Sequence, residues 1–368
     1  MTDVLVYISI LIISFAVLQG LVAMVNLIFR QPVGRSGQSL AGKISVLIPV
    51  RNEENNIGNL LSDLQRTHDP ELEILVYDDG SSDNSAVLVK RIADKDHRIR
   101  LIPGEELPQG WLGKTHACHR LAMEAQGDCF LFLDADVRID GNIIRKTVAL
   151  ASENGLCLLS VFPRQIMLTP GEWCTVPLMH FILLSLLPLI LVRHSGFSSL
   201  SAANGQFMLF DACVYRKYLP HEKMKADKVE DISIARWLKK SGLKVACLTG
   251  IPEIQCRMYT GFREAVNGFT KNVSAFFGNS LLMAFLFWAI TTLGWAVVFY
   301  ACGWIIGLIY LFALLATRIM ISLAAKQKVQ MNLLFWVPQQ ITLLFILLKS
   351  VQFKINRKYT WKGRSIQS

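Results

Sequence analysis

The N-terminal part of the chain contains an apolar run that few water-soluble folds could bury. Val4 to Phe29 carries no charged residue, and a helix needs roughly 20 apolar residues to cross a hydrocarbon layer. Hydrophobic residues make up 52% of the chain. A cleaved signal peptide is the alternative, but the residues before the run include Asp3 and no Lys or Arg. We therefore predict that residues 1–39 form an N-terminal transmembrane anchor and linker.

Two further apolar stretches lie near the other end of the chain, Ser280 to Thr317 and Asn332 to Leu348. The first is long enough for two helices and is predicted to break near Cys302 and Gly303. The second has polar residues at its centre, which a spanning helix tolerates only where neighbouring helices satisfy them. Residues 279–352 are therefore predicted to form C-terminal membrane helices, followed by a basic cytosolic tail, residues 353–368.

The distribution of Lys and Arg limits the number of membrane spans, because positive loops favour the cytosolic side. One anchor and one helical hairpin leave every basic group in the cytosol. A spanning Asn332 to Leu348 would export the most basic tail. We favour three spans with a re-entrant or interfacial segment, and four spans is the alternative. The basic groups are Arg30 with Arg35, Arg263 with Lys271, Lys326 with Lys328, and Lys349, Lys354, Arg357, Lys358, Lys362 and Arg364.

Residues 40–278 have a different pattern, in which short apolar strands alternate with amphipathic helical stretches. This pattern is typical of an α/β domain with a mostly parallel sheet. In such sheets, ligands bind at the carboxyl ends of the strands. The predicted strands are Ile44 to Val50, Glu73 to Tyr77, Ile99 to Ile102 and Cys129 to Leu133, and the predicted helices are Asn55 to Gln65 and Ala86 to Ala93.

Trp173 to Val192 is uncharged and about as long as a span. It lies between two acidic motifs that have to share one side of the membrane if they share a site, and Pro177 and Pro188 interrupt a continuous helix. We predict a hydrophobic element lying on, or dipping into, the cytosolic leaflet. A buried core helix is the alternative.

The formal net charge is +10, yet the basic residues do not interleave with a stacking platform for bases. We expect no nucleic-acid partner, and anionic lipid head groups and a diphosphate ligand account better for the charge. The eight cysteines form no CxxC pair, which favours reduced, packed thiols. His116, Cys118 and His119 have the spacing of zinc ligands, but no second pair at a zinc-site spacing follows them.

Three acidic motifs occupy positions suited to chemistry. Asp78 and Asp79 end a strand before Gly and Ser, which suits contacts to a base or ribose, although turn formation alone explains them. Asp134 and Asp136 follow a buried strand and suit Mg²⁺ or Mn²⁺ that also binds a diphosphate, with a solvated loop as the alternative. Glu230 and Asp231 open a predicted helix, where the helix dipole also favours them.

The chain carries, in order, the strings VLIPVRNEE, DDGSSDN, GWLGKTHAC, DAD, NGQFMLF and ED. This series, from about Lys43 to Lys271, resembles the family-2 glycosyltransferases. The strings LPQGWLGKTHAC and TWKGRS further resemble bacterial membrane enzymes of hopanoid and carotenoid (diaponeurosporenoate-type) glycosylation, and more distantly ceramide glucosyltransferases. The resemblance implies a GT-A fold and inversion at the anomeric carbon.

The resemblance also implies roles for individual residues. Asp136 is expected to be the direct metal ligand of the Asp134–Asp136 pair, and Asp231 the general base with Glu230 beside it. Lys114 is expected near the diphosphate. The QxxRW motif of processive and ceramide-type members is absent, and Gln255-Cys256-Arg257-Met258-Tyr259 is the nearest string, so Arg257 is expected to face the leaving diphosphate. The nucleotide pocket is expected to contain Pro49, Arg51, Glu53, Asp78 and Asp79.

The predicted function is inverting transfer of a sugar from a nucleotide-diphosphate sugar, expected to be a UDP-sugar, to a lipid acceptor. The reaction is expected at the cytosolic face of a membrane, the bacterial inner membrane. A processive polysaccharide synthase and a non-catalytic GT-A membrane scaffold are the alternatives. Few spans and the missing QxxRW motif disfavour the synthase, and the retained DAD and ED motifs disfavour the scaffold.

Overall fold

The structure is a computed structural model that describes residues 2–30, 33, 42–356, 359–361 and 364–366. The predicted linker around Arg35 and the tail residues Arg357, Lys358 and Lys362 lie outside these residues. The strands are β1 (Ile44–Val50), β2 (Leu72–Asp78), β3 (Ile99–Pro103), β4 (Cys129–Leu133), β5 (Val137–Ile139), β6 (Leu158–Phe162), β7 (Arg164–Gln165), β8 (Phe207–Asp211), β9 (Val245–Thr249), β10 (Ile254–Cys256), β11 (Tyr359–Trp361) and β12 (Arg364–Ile366).

The helices alternate with these strands in the middle of the chain. Helix α1 precedes the first strand, and α13, α14 and α15 follow one another before β11. A short 3₁₀ helix, Val273–Phe277, follows α12. The α-helices are α1 (Thr2–Ile28), α2 (Ile57–Arg66), α3 (Ser85–Ala93), α4 (Gly113–Glu124), α5 (Ile143–Glu153), α6 (Pro170–Thr175), α7 (Pro177–Leu186), α8 (Leu189–His194), α9 (Ala212–Tyr218), α10 (Pro220–Lys223), α11 (Glu230–Lys240), α12 (Phe262–Asn272), α13 (Leu281–Ala324), α14 (Val329–Leu334) and α15 (Trp336–Asn356).

A seven-stranded sheet with the order β3-β2-β1-β4-β8-β6-β9 forms the centre of the fold. Every pairing in it is parallel except those of β8, which runs antiparallel to β4 and β6. A smaller sheet, β5-β10-β7, lies at its edge, and β11 pairs with β12. The mostly parallel sheet predicted from the sequence is confirmed, as are the bounds of β1 and β4.

Side chains that alternate along the strands divide the core into two layers. Ile44, Val46 and Ile48 of β1 point into a layer formed with α2, α3 and α5. Leu47 points to the opposite face, into a layer shared with α4, α7, α11, α13 and α15. Phe287 of α13 is only 4% exposed there. One face of the α/β domain therefore packs directly against the apolar helices of the chain termini.

Helix α13 folds back on itself at Gly303, where the backbone is non-helical (φ 81°, ψ 172°). The predicted break near Cys302 and Gly303 is confirmed. Small residues allow the two arms to approach closely: a Cβ at Gly307 would lie 2.6 Å from the Phe299 ring, and one at Gly294 would lie 3.0 Å from the Tyr310 hydroxyl. By length and composition, Val4–Ile28 and Leu281–Ala324 are both able to cross a membrane.

Buried polar side chains connect α15 to α13 and α6. The Arg318 guanidinium donates to Gln339 Oε1 at 2.8 Å and lies 4.3 Å from the centre of the Phe181 ring. Gln339 Nε2 donates to the Trp173 carbonyl at 3.0 Å. Burying a polar group without a hydrogen bond costs free energy. These bonds avoid that cost and explain how the predicted re-entrant or interfacial segment can contain glutamines at its centre.

The uncharged stretch Trp173 to Val192 forms α6, α7 and α8 and is mostly buried by the rest of the chain. Asn26 of α1 donates to the carbonyls of Leu184 and Leu187 at 3.0 and 2.9 Å. This burial agrees with the alternative interpretation from the sequence, a buried core helix. The position of the element relative to a lipid leaflet stays a prediction.

Candidate active site

The carboxyl ends of β1, β2 and β4 meet at one edge of the sheet because the three strands are parallel neighbours. The Asp79 amide donates to the Val50 carbonyl at 2.8 Å and links the loops after β2 and β1. Asp78 Oδ1 accepts from the Ser81 amide at 3.1 Å, within the turn. Asp134 follows β4 directly. Two of the three predicted acidic motifs therefore lie at the edge expected for a ligand.

The residues predicted for the nucleotide pocket share this edge. Pro49 is the second-last residue of β1. Arg51 contacts the Asp79 carbonyl, and its Nη1 lies 3.7 Å from Asp79 Oδ2. The Glu53 amide donates to the Ser85 hydroxyl at 2.8 Å, which holds the loop after β1 against the start of α3. These contacts bring the predicted pocket residues together, and their contact with a nucleotide stays a prediction.

Lys114, in the first turn of α4, joins the second and third acidic motifs. Its ammonium lies 2.6 and 2.8 Å from the two carboxylate oxygens of Asp134 and 4.0 Å from Glu230 Oε1. Burial disfavours the charged ammonium, but the carboxylates of Asp134 and Glu230 more than offset this and raise the pKa of Lys114 above its ordinary value. The lysine therefore stays positively charged at the centre of the site.

Asp136 is the buried member of the DAD motif. Burial, and then the negative charge of Asp134, raise the pKa of the Asp136 carboxyl to about 7. The neighbouring Cys256 thiol partly offsets this rise in pKa, and Gln206 Nε2 donates to Cys256 Sγ at 2.8 Å. Asp136 Oδ1 is buried without a hydrogen-bond partner in the structure.

A divalent cation fits this arrangement, because it would satisfy Asp136 Oδ1 and offset the repulsion between Asp134 and Asp136. Within the described residues, no three or more His, Cys, Asp or Glu side chains form a group able to hold a metal ion. The protein would therefore supply the two aspartates, and the remaining ligands would be diphosphate oxygens and water, as is common for Mg²⁺.

The His116, Cys118 and His119 cluster has a packing role in the described structure. The His116 and His119 rings lie 5.4 and 5.1 Å from the Trp111 ring, measured between centres. Cys118 is buried, and burial raises the pKa of its thiol. The buried Cys118 agrees with the interpretation of packed thiols, and the absence of zinc stays a prediction.

Glu230 and Asp231 open α11, and Glu230 Oε1 lies 4.0 Å from the Lys114 ammonium. The Gly205 amide donates to Asp231 Oδ2 at 2.9 Å, and the Ile232 amide donates to Oδ1 at 2.7 Å. Burial raises the pKa of Asp231 above its ordinary value and that of Glu230 to about 7. A carboxylate with a raised pKa is a better proton acceptor near neutral pH.

Arg257 lies at the end of β10 and pairs with Glu172. Its Nη2 is 2.8 Å from Glu172 Oε1, and Glu172 is fully buried. Glu172 also forms a capping box with Thr169 at the start of α6. Arg257 thus joins α6 to the domain, and its approach to a leaving diphosphate stays a prediction.

Three residues at this site were not among those predicted from the sequence: Gly205, Gln206 and Cys256. A Cβ at Gly205 would lie 3.2 Å from Lys114 Nζ and 3.7 Å from both Asp231 Oδ2 and Glu230 Oε1. The string NGQFMLF, already part of the motif series, was the available signal for Gly205 and Gln206. Cys256 lies within the string compared with QxxRW, in which only Arg257 was predicted to have a role.

Comparison with known proteins agrees with this geometry. Residues 45–218 match the family model described as Glycosyl transferase family 2. The 4,4'-diaponeurosporenoate glycosyltransferase of Staphylococcus haemolyticus is 26% identical over 240 residues, covering 63% of this chain and 61% of that protein. The protein of the same name from Staphylococcus aureus strain USA300 is 27% identical over 259 residues, covering 67% of this chain and 65% of that protein. The chain thus spans less than two thirds of these relatives' length.

Among solved structures, the mannosyltransferase PcManGT of Pyrobaculum calidifontis, in complex with GDP-Man and Mn²⁺, superposes with a TM-score of 0.57 at 15% identity. The match covers 96% of this chain and 99% of that one. The fold is therefore the GT-A fold of nucleotide-sugar transferases.

Proposed function

We propose that this chain transfers a sugar, with inversion, from a nucleotide-diphosphate sugar to a lipid acceptor at the cytosolic face of a membrane. The observation that carries the proposal is the position of Lys114, 2.6 Å from Asp134 and 4.0 Å from Glu230. One cation thereby joins the expected diphosphate edge of the sheet to Glu230, the neighbour of the expected base Asp231 on α11.

The first requirement of the reaction is a group that accepts the proton of the acceptor hydroxyl. The acceptor hydroxyl attacks the anomeric carbon, and its proton passes to the Asp231 carboxylate. The bond between the anomeric carbon and the diphosphate oxygen breaks, and the oxygen leaves with the bonding electrons. General-base catalysis of this kind contributes about a hundredfold to ten-thousandfold. Asp231 is suited to the task because burial raises its pKa and two amides fix both of its oxygens.

The second requirement is stabilisation of the negative charge that develops on the leaving diphosphate. Lys114 stays protonated between the acidic groups and would offset that charge. Asp134 and Asp136 would hold Mg²⁺ or Mn²⁺, which, when bound, supplies further neutralisation of the leaving oxygen. The buried, unpartnered Asp136 Oδ1 supports this assignment.

A lipid acceptor and a UDP-sugar donor are the more specific parts of the proposal. The Staphylococcus relatives are named for transfer to diaponeurosporenoate. In this chain, α7 and α15 cover one face of the domain with apolar side chains. An acceptor with an apolar tail can therefore approach from the helices while its hydroxyl meets Asp231.

The cytosolic orientation is supported by the clustering of basic residues. Arg30 at the end of α1 donates to the Leu323 carbonyl at 3.3 Å, next to the Lys326 loop. A Cβ at Gly250 would lie 2.3 Å from the Ala324 carbonyl, so the α/β domain contacts that same end of α13. Cysteine-accessibility labelling of Lys326→Cys should require permeabilised cells. Labelling from outside intact cells would contradict this orientation.

Purified protein incubated with radiolabelled nucleotide sugars and a membrane lipid extract tests the reaction itself. We expect label from a UDP-sugar to enter an organic-soluble product that carries one added sugar. A long water-soluble polymer would instead indicate a processive synthase. No transfer from any donor, with the protein shown to be folded by its melting temperature, would contradict the proposal.

A further inference from the structure

A basic cleft lies where three parts of the chain meet. One wall is the segment from Lys223 to Val229, between α10 and α11. The second is the end of α12 with the 3₁₀ helix, and the third is the end of α15. The cleft has a volume of about 680 Å³. We call it the lysine cleft, and its described lining is Lys223, Met224, Lys225, Ala226, Asp227, Lys228, Val229, Lys271, Ser274, Ala275, Asn279, Ser350 and Lys354.

The charge of this lining is strongly unbalanced, with five lysines against one carboxylate, that of Asp227. The carboxylate is already used within its own loop, where it accepts from the Val229 amide at 3.0 Å. Lys271 is partly buried, and burial lowers the pKa of its ammonium. An anion inside the cleft would offset the repulsion among the ammonium groups of this lining.

The walls of the cleft indicate where such an anion comes from. One wall is the end of α15, the last of the apolar C-terminal helices, and another, the end of α12 with the 3₁₀ helix, directly precedes α13. Basic side chains at the end of apolar helices attract anionic phospholipids, each contributing roughly fivefold to binding. We propose that the lysine cleft binds the phosphate of an anionic phospholipid head group. Inorganic phosphate carries the same chemistry and is the source that the experiment has to distinguish.

Occupation of the cleft would act on α4 and α11, which carry Lys114 and Asp231, because its first wall is connected to the start of both helices. The Leu112 amide donates to the Lys225 carbonyl at 2.8 Å, two residues before Lys114. Val229 lines the cleft and directly precedes Glu230. A bound head group therefore holds the loop that positions Lys114 and the start of α11. Anionic lipid is expected to raise sugar transfer through this loop.

Thermal unfolding of the full chain in neutral detergent tests binding without relying on catalysis. The probes are dioctanoyl-phosphatidylglycerol, dioctanoyl-phosphatidylcholine and inorganic phosphate. Wild-type protein should be stabilised by phosphatidylglycerol more than by the other two. The double variant Lys225→Gln with Lys354→Gln, which neutralises exposed lysines on opposite walls, should bind this lipid about 25-fold more weakly. Should the double variant fail to fold, the single variant Lys225→Gln replaces it, with about a fivefold loss expected.

A matched control removes the same charge elsewhere: Lys90→Gln with Lys95→Gln, on and just after α3, should respond to phosphatidylglycerol like the wild type. Equal loss in the control and the cleft variant would overturn the site, as would an unaltered response of the cleft variant. Equal stabilisation by inorganic phosphate would overturn the lipid as the source. Because these outcomes are read from melting temperature, they stand apart from any failure to detect sugar transfer.

Discussion

The Gly205 amide donates a hydrogen bond to the Asp231 carboxylate across 2.9 Å. This bond joins the loop before β8 to the first turn of α11 and fixes one oxygen of the carboxylate that we assign to proton transfer. Gly205 also leaves room for Lys114, whose ammonium lies where a larger residue would make contact. A backbone position thus sets the geometry between the proposed base and the cation beside it.

Replacing Gly205 with Ala should lower kcat/KM by about tenfold, a loss of about 1.4 kcal/mol of transition-state stabilisation. The added Cβ would lie 3.2 Å from Lys114 Nζ, so the ammonium has to shift by a few tenths of an ångström relative to Asp134 and Glu230. The fold should persist because the contacted atom ends a flexible side chain. Steady-state kinetics and the melting temperature measure both effects.

Gly196→Ala is the control for this substitution, because a Cβ at Gly196 meets no atom within 4 Å. It should leave kcat/KM unchanged. Normal turnover in Gly205→Ala would show that the spacing between Lys114 and Asp231 is not critical.

Asp136→Asn should abolish metal-dependent transfer without lowering the melting temperature. The substitution removes a buried carboxylate whose Oδ1 has no partner, so no protein contact of that oxygen is lost. Electron paramagnetic resonance measures Mn²⁺ binding in the presence of donor, and the affinity should weaken by at least about tenfold. Loss of a residue that only hydrogen-bonds to a metal ligand already has an effect of that size. Asp94→Asn, an exposed change after α3, is the control. Full turnover of the wild type in excess EDTA would contradict metal use.

The rate of transfer should depend on pH through the acidic residues of α11. Burial raises the pKa of Asp231 and brings that of Glu230 to about 7. A raised pKa keeps a carboxyl group protonated to higher pH, and a protonated Asp231 cannot accept the acceptor's proton. We predict that kcat/KM falls about tenfold per unit as pH drops below the pKa of this pair. A profile at saturating metal that stays flat down to the ordinary pKa of an aspartate, about 3.9, would contradict the assignment.

Local features of the fold followed from the sequence. The bounds of β1 and β4 were predicted to the residue because a buried strand requires a short apolar run that ends in polar or turn residues. The break at Gly303 was predicted because glycine adopts the positive φ of 81° at little cost. The edge holding Asp79 and Asp134 followed from the parallel sheet.

Contacts between distant parts of the chain were less accessible. Arg257 and Glu172 are 85 residues apart, and neither periodicity nor spacing encodes their pairing. Helix α7 is buried partly by α1, and the first half of the α/β domain lies between these two helices in the sequence. Gly205 lies in a motif that was noticed, but its role required knowing that α11 begins beside it.

The most direct test of the account is Asp231→Asn, measured for both turnover and donor binding. Asn retains one side-chain oxygen that can accept from the Gly205 amide and loses only the acceptor for the Ile232 amide, so the fold should survive while proton acceptance is lost. We predict a fall in kcat of at least about a hundredfold, with the dissociation constant of the nucleotide sugar nearly unchanged in calorimetry. Near-normal turnover with an unchanged melting temperature would contradict the assignment of Asp231 as the base.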